Sequence, residues 1–243
     1  RTGFEANGGL FFVVLGALFF FRFIRREKPL NLYLSFAIFA ISIYFYRSIW
    51  VFVPLLILST LFVYRKTLFS KYLKQLGFAI VIFIVIIVPF APLMVSKYGL
   101  VRVQQVNVVD NSQQQIAKYV ARQKDAKGVV GKIVFNRRVA YVQEIGRGYL
   151  AHFSQIFLFF QGDGNGRHGV KGFGVLYLWA AILLIPGIIA LFKLDKKTRN
   201  LLVLWILIAP IPAAVSVPAP HALRSLNMLP IIQIICALGV ALI

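Results

Sequence analysis

Seven apolar stretches, none containing an aspartate or a glutamate, divide this chain: Gly8–Ile24, Leu30–Tyr46, Ile49–Tyr64, Leu76–Val95, Gly174–Phe192, Leu201–Val217 and Ile231–Ile243. Crossing ~30 Å of hydrocarbon takes ~17–25 apolar residues in a helix. Backbone in lipid must satisfy its own hydrogen bonds, so spanning segments are helices or closed barrel strands. The runs are continuous rather than alternating, which selects helices. With 60% hydrophobic residues, 14% charged residues and a mean hydropathy of +0.81, the chain lies far from soluble domains. The expected fold is all-α: a polytopic transmembrane bundle of about seven spans with a mostly helical outer loop.

Three regions follow from this reading. Residues 1–95 hold spans one to four, 96–173 an extracytoplasmic loop, and 174–243 spans five to seven. The last stretch has only 13 residues and the chain opens on Arg1 rather than Met, so a fragment of a longer protein is expected. Gly8–Ile24 does not read as a signal peptide. No basic region precedes it, and Arg25-Arg26-Glu27-Lys28 follows it as a stop-transfer flank. The lone cysteine, Cys236, falls inside a span, where it reads as a small buried apolar residue.

Charge orients the bundle. The loops after spans one, three and five hold Arg25, Arg26, Lys28; Arg65, Lys66, Lys71, Lys74; and Lys193, Lys196, Lys197, Arg199, eleven basic residues in all. Short segments on the other face hold three, Arg1, Arg47 and Arg224. Lysine and arginine in short loops mark the cytoplasmic side, so the long loop is expected outside, on a plasma-membrane protein. That loop, Ser96–Phe173, carries 12 basic and four acidic residues, but long loops largely escape the charge rule. All three histidines and five of the seven acids fall on this outer side. A formal net charge of +20 is read as cytoplasmic anchor charge together with an outer surface facing anionic lipid head groups. No recognition motif with interleaved aromatics points to nucleic acid.

Within the outer loop, Asp110-Asn111-Ser112 is a helix start capping Gln113–Lys124, and a second helical stretch runs from Lys132 to Phe160. Its aromatic tail, Tyr149–Phe160, reads as a helix lying in the interface plane.

The densest polar cluster is Gln161-Gly-Asp163-Gly-Asn165-Gly-Arg167-His168. Asp163 can bind a sugar hydroxyl or act as a base, Arg167 can fork onto a phosphate, and His168 can donate to a phosphate oxygen or shuttle a proton. A flexible hydrophilic turn is the plainer reading. Asp163 and Asn165 have the i, i+2 spacing of a calcium loop, but the later ligands and terminal glutamate are missing. The second cluster is Pro218-Ala-Pro220-His221-Ala-Leu-Arg224, whose His221 and Arg224 leave one face of a helical turn and suit a phosphate. An interface anchor is the alternative, since arginine at a membrane edge often snorkels. At the outer mouth of span one, Arg1 and Glu5 either pair with each other or meet substrate. Arg47 sits in the aromatic hairpin Tyr44–Trp50, where a structural role is expected. His152 is expected on the surface of its helix. The histidines lie far apart in sequence and form no H-x-x-x-H pair, so no metal ligands are assigned. No serine elbow, phosphate loop or dinucleotide fingerprint is present.

The run Phe153-Ser-Gln-Ile-Phe-Leu-Phe-Phe-Gln-Gly-Asp163-Gly-Asn-Gly-Arg167-His168, followed by Gly172-Phe-Gly-Val-Leu-Tyr177, resembles a signature of bacterial multi-pass glycosyltransferases of the GT-C superfamily. The group is family 39-like, related to protein O-mannosyltransferases and aminoarabinose transferases. Arg1-Thr-Gly-Phe-Glu5-Ala-Asn, Ser42–Leu56 and Pro220-His221-Ala-Leu-Arg224-Ser-Leu resemble the family's other landmarks in its order, with Trp50 standing where arginine is frequent. The resemblance implies transfer, with inversion, of a sugar from a polyprenyl-phosphate donor to a glycan, lipid or protein acceptor on the extracytoplasmic face. It implies a catalytic aspartate in a first outer loop upstream of Arg1, so no catalytic residue is assigned within the chain. Asp163, Arg167, His168, His221 and Arg224, with Arg1 and Glu5, are carried over as residues lining the substrate sites. No cofactor is assigned, and a divalent cation is compatible with the reading. A transporter or flippase of lipid-linked sugars is the alternative function. It should place charge at mid-membrane, whereas Arg22, near the inner end of span one, is the spans' clear basic residue.

Overall fold

The structure, a computed structural model, describes residues 4–96, 116, 117, 121, 136–170 and 172–242. Arg1 and most of the expected helix Gln113–Lys124 lie outside the described residues. The described residues form helices and turns, with no strand among them.

Helix α1 (Phe4–Arg26) is followed by α2 (Pro29–Ser42), α3 (Arg47–Val63), α4 (Arg65–Lys71) and α5 (Leu73–Ile87). A 3₁₀ turn, Val88–Phe90, and a short α6 (Ala91–Val95) prolong α5. Then come α7 (Arg137–Ala151), a π-helical turn (Ile156–Phe160), α8 (Leu178–Lys193), α9 (Lys196–Ile208), α10 (Ile211–Ala214), a 3₁₀ turn (Leu226–Met228) and α11 (Leu229–Leu242). Local chemistry sets several starts. Pro29 opens α2, where its fixed φ suits a first helical position. Asn136 Oδ1 caps α7 by accepting Arg138 N–H at 2.8 Å, and Asp195 Oδ1 caps α9 through the N–H groups of Lys197 and Thr198.

Three segments are long and apolar enough to cross a membrane: Glu5–Arg26, Leu73–Met94 and Lys196–Ala214. Arg47–Val63 and Arg65–Lys71 make a fourth if taken as one span bent by 78°. Pro29–Ser42, Leu178–Lys193 and Leu226–Leu242 are apolar but shorter. Rows of large apolar side chains face outward on α5 (Leu73, Phe78, Val81, Ile84, Val85) and on α8 (Leu178, Ile182, Ile185, Ile189, Phe192). Such continuous exposed apolar faces suit contact with lipid.

Helix α1 packs along α2, α2 along α5, α3 along α9, and α8 along α11. Lipid supplies no hydrophobic drive between helices, so close approach and polar links hold them together. Gly16 lets the Phe39 ring seat against α1, and Ser35 Oγ donates to the Gly16 carbonyl at 2.8 Å. Gly187 and Gly239 let α8 and α11 cross backbone to backbone: a Cβ on Gly187 would lie 2.0 Å from the Ile235 carbonyl oxygen. Cys236 is buried in this crossing, with Sγ 3.8 Å from the Ala180 carbonyl.

The two ends of the bundle differ. At one end Lys71 Nζ meets Glu27 Oε2 at 2.6 Å, and Lys197 Nζ donates to Thr67 Oγ1 at 3.2 Å. At the other end the segment before α8 and the segment between α10 and α11 are joined through Asp163 and Ala222, within electrostatic reach of Tyr46 in the α2–α3 hairpin.

The stretch expected as one helix from Lys132 to Phe160 is broken. Helix α7 stops at Ala151, residues 152–154 turn, and the π turn follows. Its carbonyl groups are then reused: Val175 N–H donates to Phe157 O at 3.3 Å and Leu176 N–H to Leu158 O at 2.8 Å. Gly174 makes this possible, because a Cβ there would lie 2.3 Å from the Leu158 carbonyl oxygen. The Asp163 loop is thereby clamped at its base. Gly162 continues the clamp at φ 63°, a left-handed backbone that glycine tolerates.

Candidate functional site

Asp163 is the centre of the site. Its residue surface is 8% exposed, and both carboxylate oxygens are engaged. Oδ1 accepts the N–H of Asn165 at 2.9 Å, closing an Asx turn. Oδ2 accepts the N–H of Ala222 at 2.8 Å, across 59 residues of sequence. The calcium-loop spacing of Asp163 and Asn165 therefore serves a turn, and Asn165 Oδ1 repeats the device by accepting the N–H of Arg167 at 3.1 Å. Asp163 thus shapes its own loop and pins the His221 segment to it.

Two imidazoles face the same oxygen. His168 Nδ1 and His221 Nδ1 each lie 3.4 Å from Asp163 Oδ2, and their ring centroids are 4.9 Å apart. Neither Nδ1 has a hydrogen-bond partner among the described residues, although both are buried. The distances exceed the range of a charge-assisted N–H···O bond. Ligand atoms from Asp163, His168 and His221 all fall within 4.8 Å of one another, which makes them a candidate metal-holding group. Along the sequence, the wide spacing of the histidines speaks against shared metal ligands. The turn from His221 to Ser225, closed by Ser225 N–H to His221 O at 3.2 Å, overcomes that spacing by docking on the Asp163 loop.

His152 is not on the surface as expected. It is fully buried, edge-on to the Phe157 ring at 5.4 Å. Its Nδ1 lies 2.7 Å from the Gly148 carbonyl, so that nitrogen carries the proton and donates. Nε2 is then free to accept the backbone N–H of His221 at 3.1 Å. Burial lowers the pKa of His152, which keeps this acceptor unprotonated. Burial first, and the Arg224 guanidinium second, push His221 down to about 4, against the opposing pull of Asp163.

Arg224 is half-buried, and its Nη1 donates to Ser216 Oγ at 2.8 Å and to the Val217 carbonyl at 3.2 Å. It shares one turn with His221 and lies close enough to act on its charge. Tyr46, which the sequence did not mark, connects the cluster to the helix mouths: Arg224, Glu5, Arg47 and Asp163 all act electrostatically on its phenol. Glu5, in the first turn of α1, is exposed, so it borders the site rather than entering its buried part. Arg47 lies over the Trp50 ring at 5.8 Å, and Trp50 Nε1 donates to Ile43 O at 2.8 Å, a hairpin-stiffening arrangement. Arg167 is exposed and enters the loop's hydrogen bonding through its backbone N–H.

The cluster offers a fixed carboxylate, two imidazoles whose Nδ1 atoms have no hydrogen-bond partner among the described residues, and a guanidinium beside them. Such a set can hold a cation, an anionic oxygen, or both at once. Comparison with family models, curated proteins and solved structures returned no match.

Proposed function

We propose that the protein is a membrane glycosyltransferase that moves a sugar from a polyprenyl-phosphate donor to an acceptor on the extracytoplasmic face. One observation carries the reading. The two segments richest in phosphate- and sugar-binding residues meet through Asp163 Oδ2 and Ala222 N–H, which gathers His168, His221 and Arg224 at one bundle end. These are also the segments that resemble the GT-C signature. In this reading the apolar stretches form about seven membrane spans, with the end bearing Glu27–Lys71 and Lys197–Thr67 in the cytoplasm, in line with the basic loops.

The reaction is a displacement at the anomeric carbon. An acceptor oxygen bonds to that carbon from the face opposite the phosphate. The bond from carbon to phosphate oxygen breaks, and its electron pair leaves with the phosphate. The acceptor proton passes to a carboxylate base, which the family resemblance places upstream of Arg1. Within this chain the task is to stabilise the leaving phosphate. Arg224 and an imidazole N–H provide donors at a dry site, where they act more strongly than in water. Asp163 holds the donors in place, since its oxygens already accept two backbone N–H groups. The exposed apolar faces of α5 and α8 give the prenyl tail a lipid-continuous surface to lie against. The apolar stretches lack the acids that a transporter of charged lipid carriers would place at mid-membrane.

The test is to incubate the full-length protein in lipid nanodiscs with radiolabelled polyprenyl-phosphate sugars. Label leaving the prenyl carrier for a second molecule is the expected result. Retention of every label on its lipid would defeat the reading, and movement of intact labelled lipid between leaflets would favour a flippase.

A further inference from the structure

His168 Nδ1 and His221 Nδ1 are buried nitrogens with no partner among the described residues, and they converge on one carboxylate oxygen. A hydrogen-bonded imidazole would approach Asp163 Oδ2 to about 2.7–2.9 Å. The separation is 3.4 Å from each. With zinc–nitrogen and zinc–oxygen bonds of about 2.0–2.2 Å, neighbouring ligand atoms of a tetrahedral site lie about 3.3–3.5 Å apart. Both contacts to Asp163 Oδ2 therefore have the length of a coordination edge. The three residues' ligand atoms all lie within 4.8 Å of one another.

The surroundings suit a built centre. Asp163 is 8% exposed and His221 5% exposed. The carboxylate is oriented from outside the cluster by two N–H groups, Asn165 on Oδ1 and Ala222 on Oδ2, which leaves Oδ2 a second lone pair. The backbone of His221 is fixed by His152 Nε2. Two imidazoles and one carboxylate suit borderline transition ions, whereas magnesium and calcium take oxygen ligands. Three protein ligands leave a fourth position open, as in catalytic rather than structural zinc sites.

We propose that Asp163 Oδ2, His168 Nδ1 and His221 Nδ1 bind one divalent transition-metal ion of the zinc class, with a fourth position open to a phosphate oxygen. Ion binding stands on the geometry alone. That the fourth ligand is the donor's phosphate rests on the transferase reading.

The experiment uses the full-length protein, purified without a histidine tag, stripped with chelator and placed in nanodiscs. It is titrated with Co2+ as the optical probe, and Zn2+ is then added in competition. One equivalent of Co2+ per chain with tetrahedral absorption is expected, displaced by Zn2+. Asp163→Asn and His168→Ala should each weaken binding by at least about tenfold, the lower end of what even outer-shell changes do at metal sites. X-ray absorption at the zinc edge of the unaltered protein should show two imidazoles, a readout independent of whether the variants fold. Less than half an equivalent bound would overturn the site, as would an ion without imidazole neighbours. Binding of the ion without sugar transfer would sink the transferase reading alone, and transfer by ion-free protein that takes up no ion would sink the metal site alone.

Discussion

His152 accepts the backbone N–H of His221 on its Nε2 at 3.1 Å, while its Nδ1 donates to the carbonyl of Gly148. A side chain in the break after α7 thus fixes the main chain of a residue 69 positions later. Replacing His152 by leucine keeps the apolar contact with Phe157 but leaves the buried His221 N–H unsatisfied. The expected loss is about 1–3 kcal/mol, the cost of an orphaned buried donor. Glutamine, which keeps an acceptor oxygen, should recover part of it. Denaturant titration in mild detergent measures both, and equal stability of His152→Leu and the unaltered protein would remove His152 as the clamp.

Asp163 separates two effects. Asp163→Asn keeps a side-chain oxygen for a backbone N–H but removes the charge that faces two imidazoles. Asp163→Ala removes the link to Ala222 as well. Limited proteolysis should cut within 161–177 much faster in the alanine variant than in the asparagine variant. Indistinguishable cleavage of the two would mean that Asp163 does not hold the loops together.

The α8–α11 crossing predicts a contrast between two glycines. A Cβ on Gly187 would lie 2.0 Å from the Ile235 carbonyl oxygen, and backbone cannot yield as a side chain can. Gly187→Ala should therefore destabilise the bundle by about 1–3 kcal/mol, the usual scale of overpacking. Gly77, in α5, faces open space: a Cβ added there would meet no described atom within 4 Å. Gly77→Ala should leave stability unchanged or raise it slightly, through helix propensity. Resistance to SDS unfolding ranks the two, and the reverse order would rule out the tight crossing.

Acid should weaken the protein through His221. The unfolded chain takes up a proton near the ordinary value of 6.5, while the folded site resists it until about 4. Between those values the unfolded state binds more protons, so stability is fully present above about 6.5 and declines as pH falls towards 4. Thermal melts in chelator across this window should show the decline, flattened in His221→Ala. A melting midpoint insensitive to pH over the same range would indicate that the imidazole is not held neutral by its burial.

Much of the fold was legible because lipid imposes one simple rule. A stretch without acids and with continuous apolar residues, such as Leu76–Val95, has little choice but to form a helix, and α5 with its 3₁₀ and α6 extension does so. Helix ends set by tertiary contact were less legible. The aromatic run after Tyr149 gave no hint that residues 152–154 would break the helix, because the break is held by His152 reaching the His221 segment. Asp163, His168, His221 and Arg224 were legible as chemically able residues in two separate motifs. Their meeting was not, since Asp163 and Ala222 are joined by a side chain-to-backbone bond that no local periodicity encodes. The same long separation along the chain hid the candidate metal group, because distance in sequence is a poor guide to distance in space once loops dock. Tyr46 carried no signal at all; an aromatic at a membrane edge is expected whether or not it faces a site.

Sugar transfer itself is best examined by following label from a radiolabelled polyprenyl-phosphate sugar in nanodiscs of the unaltered protein, Arg224→Ala and Gly77→Ala. Transfer by the first and last is expected, with a loss of about 10²–10³-fold in Arg224→Ala, the scale seen when one charge-stabilising donor is removed. Undiminished transfer by a folded Arg224→Ala protein, or no transfer from any donor by the unaltered one, would refute the transferase reading.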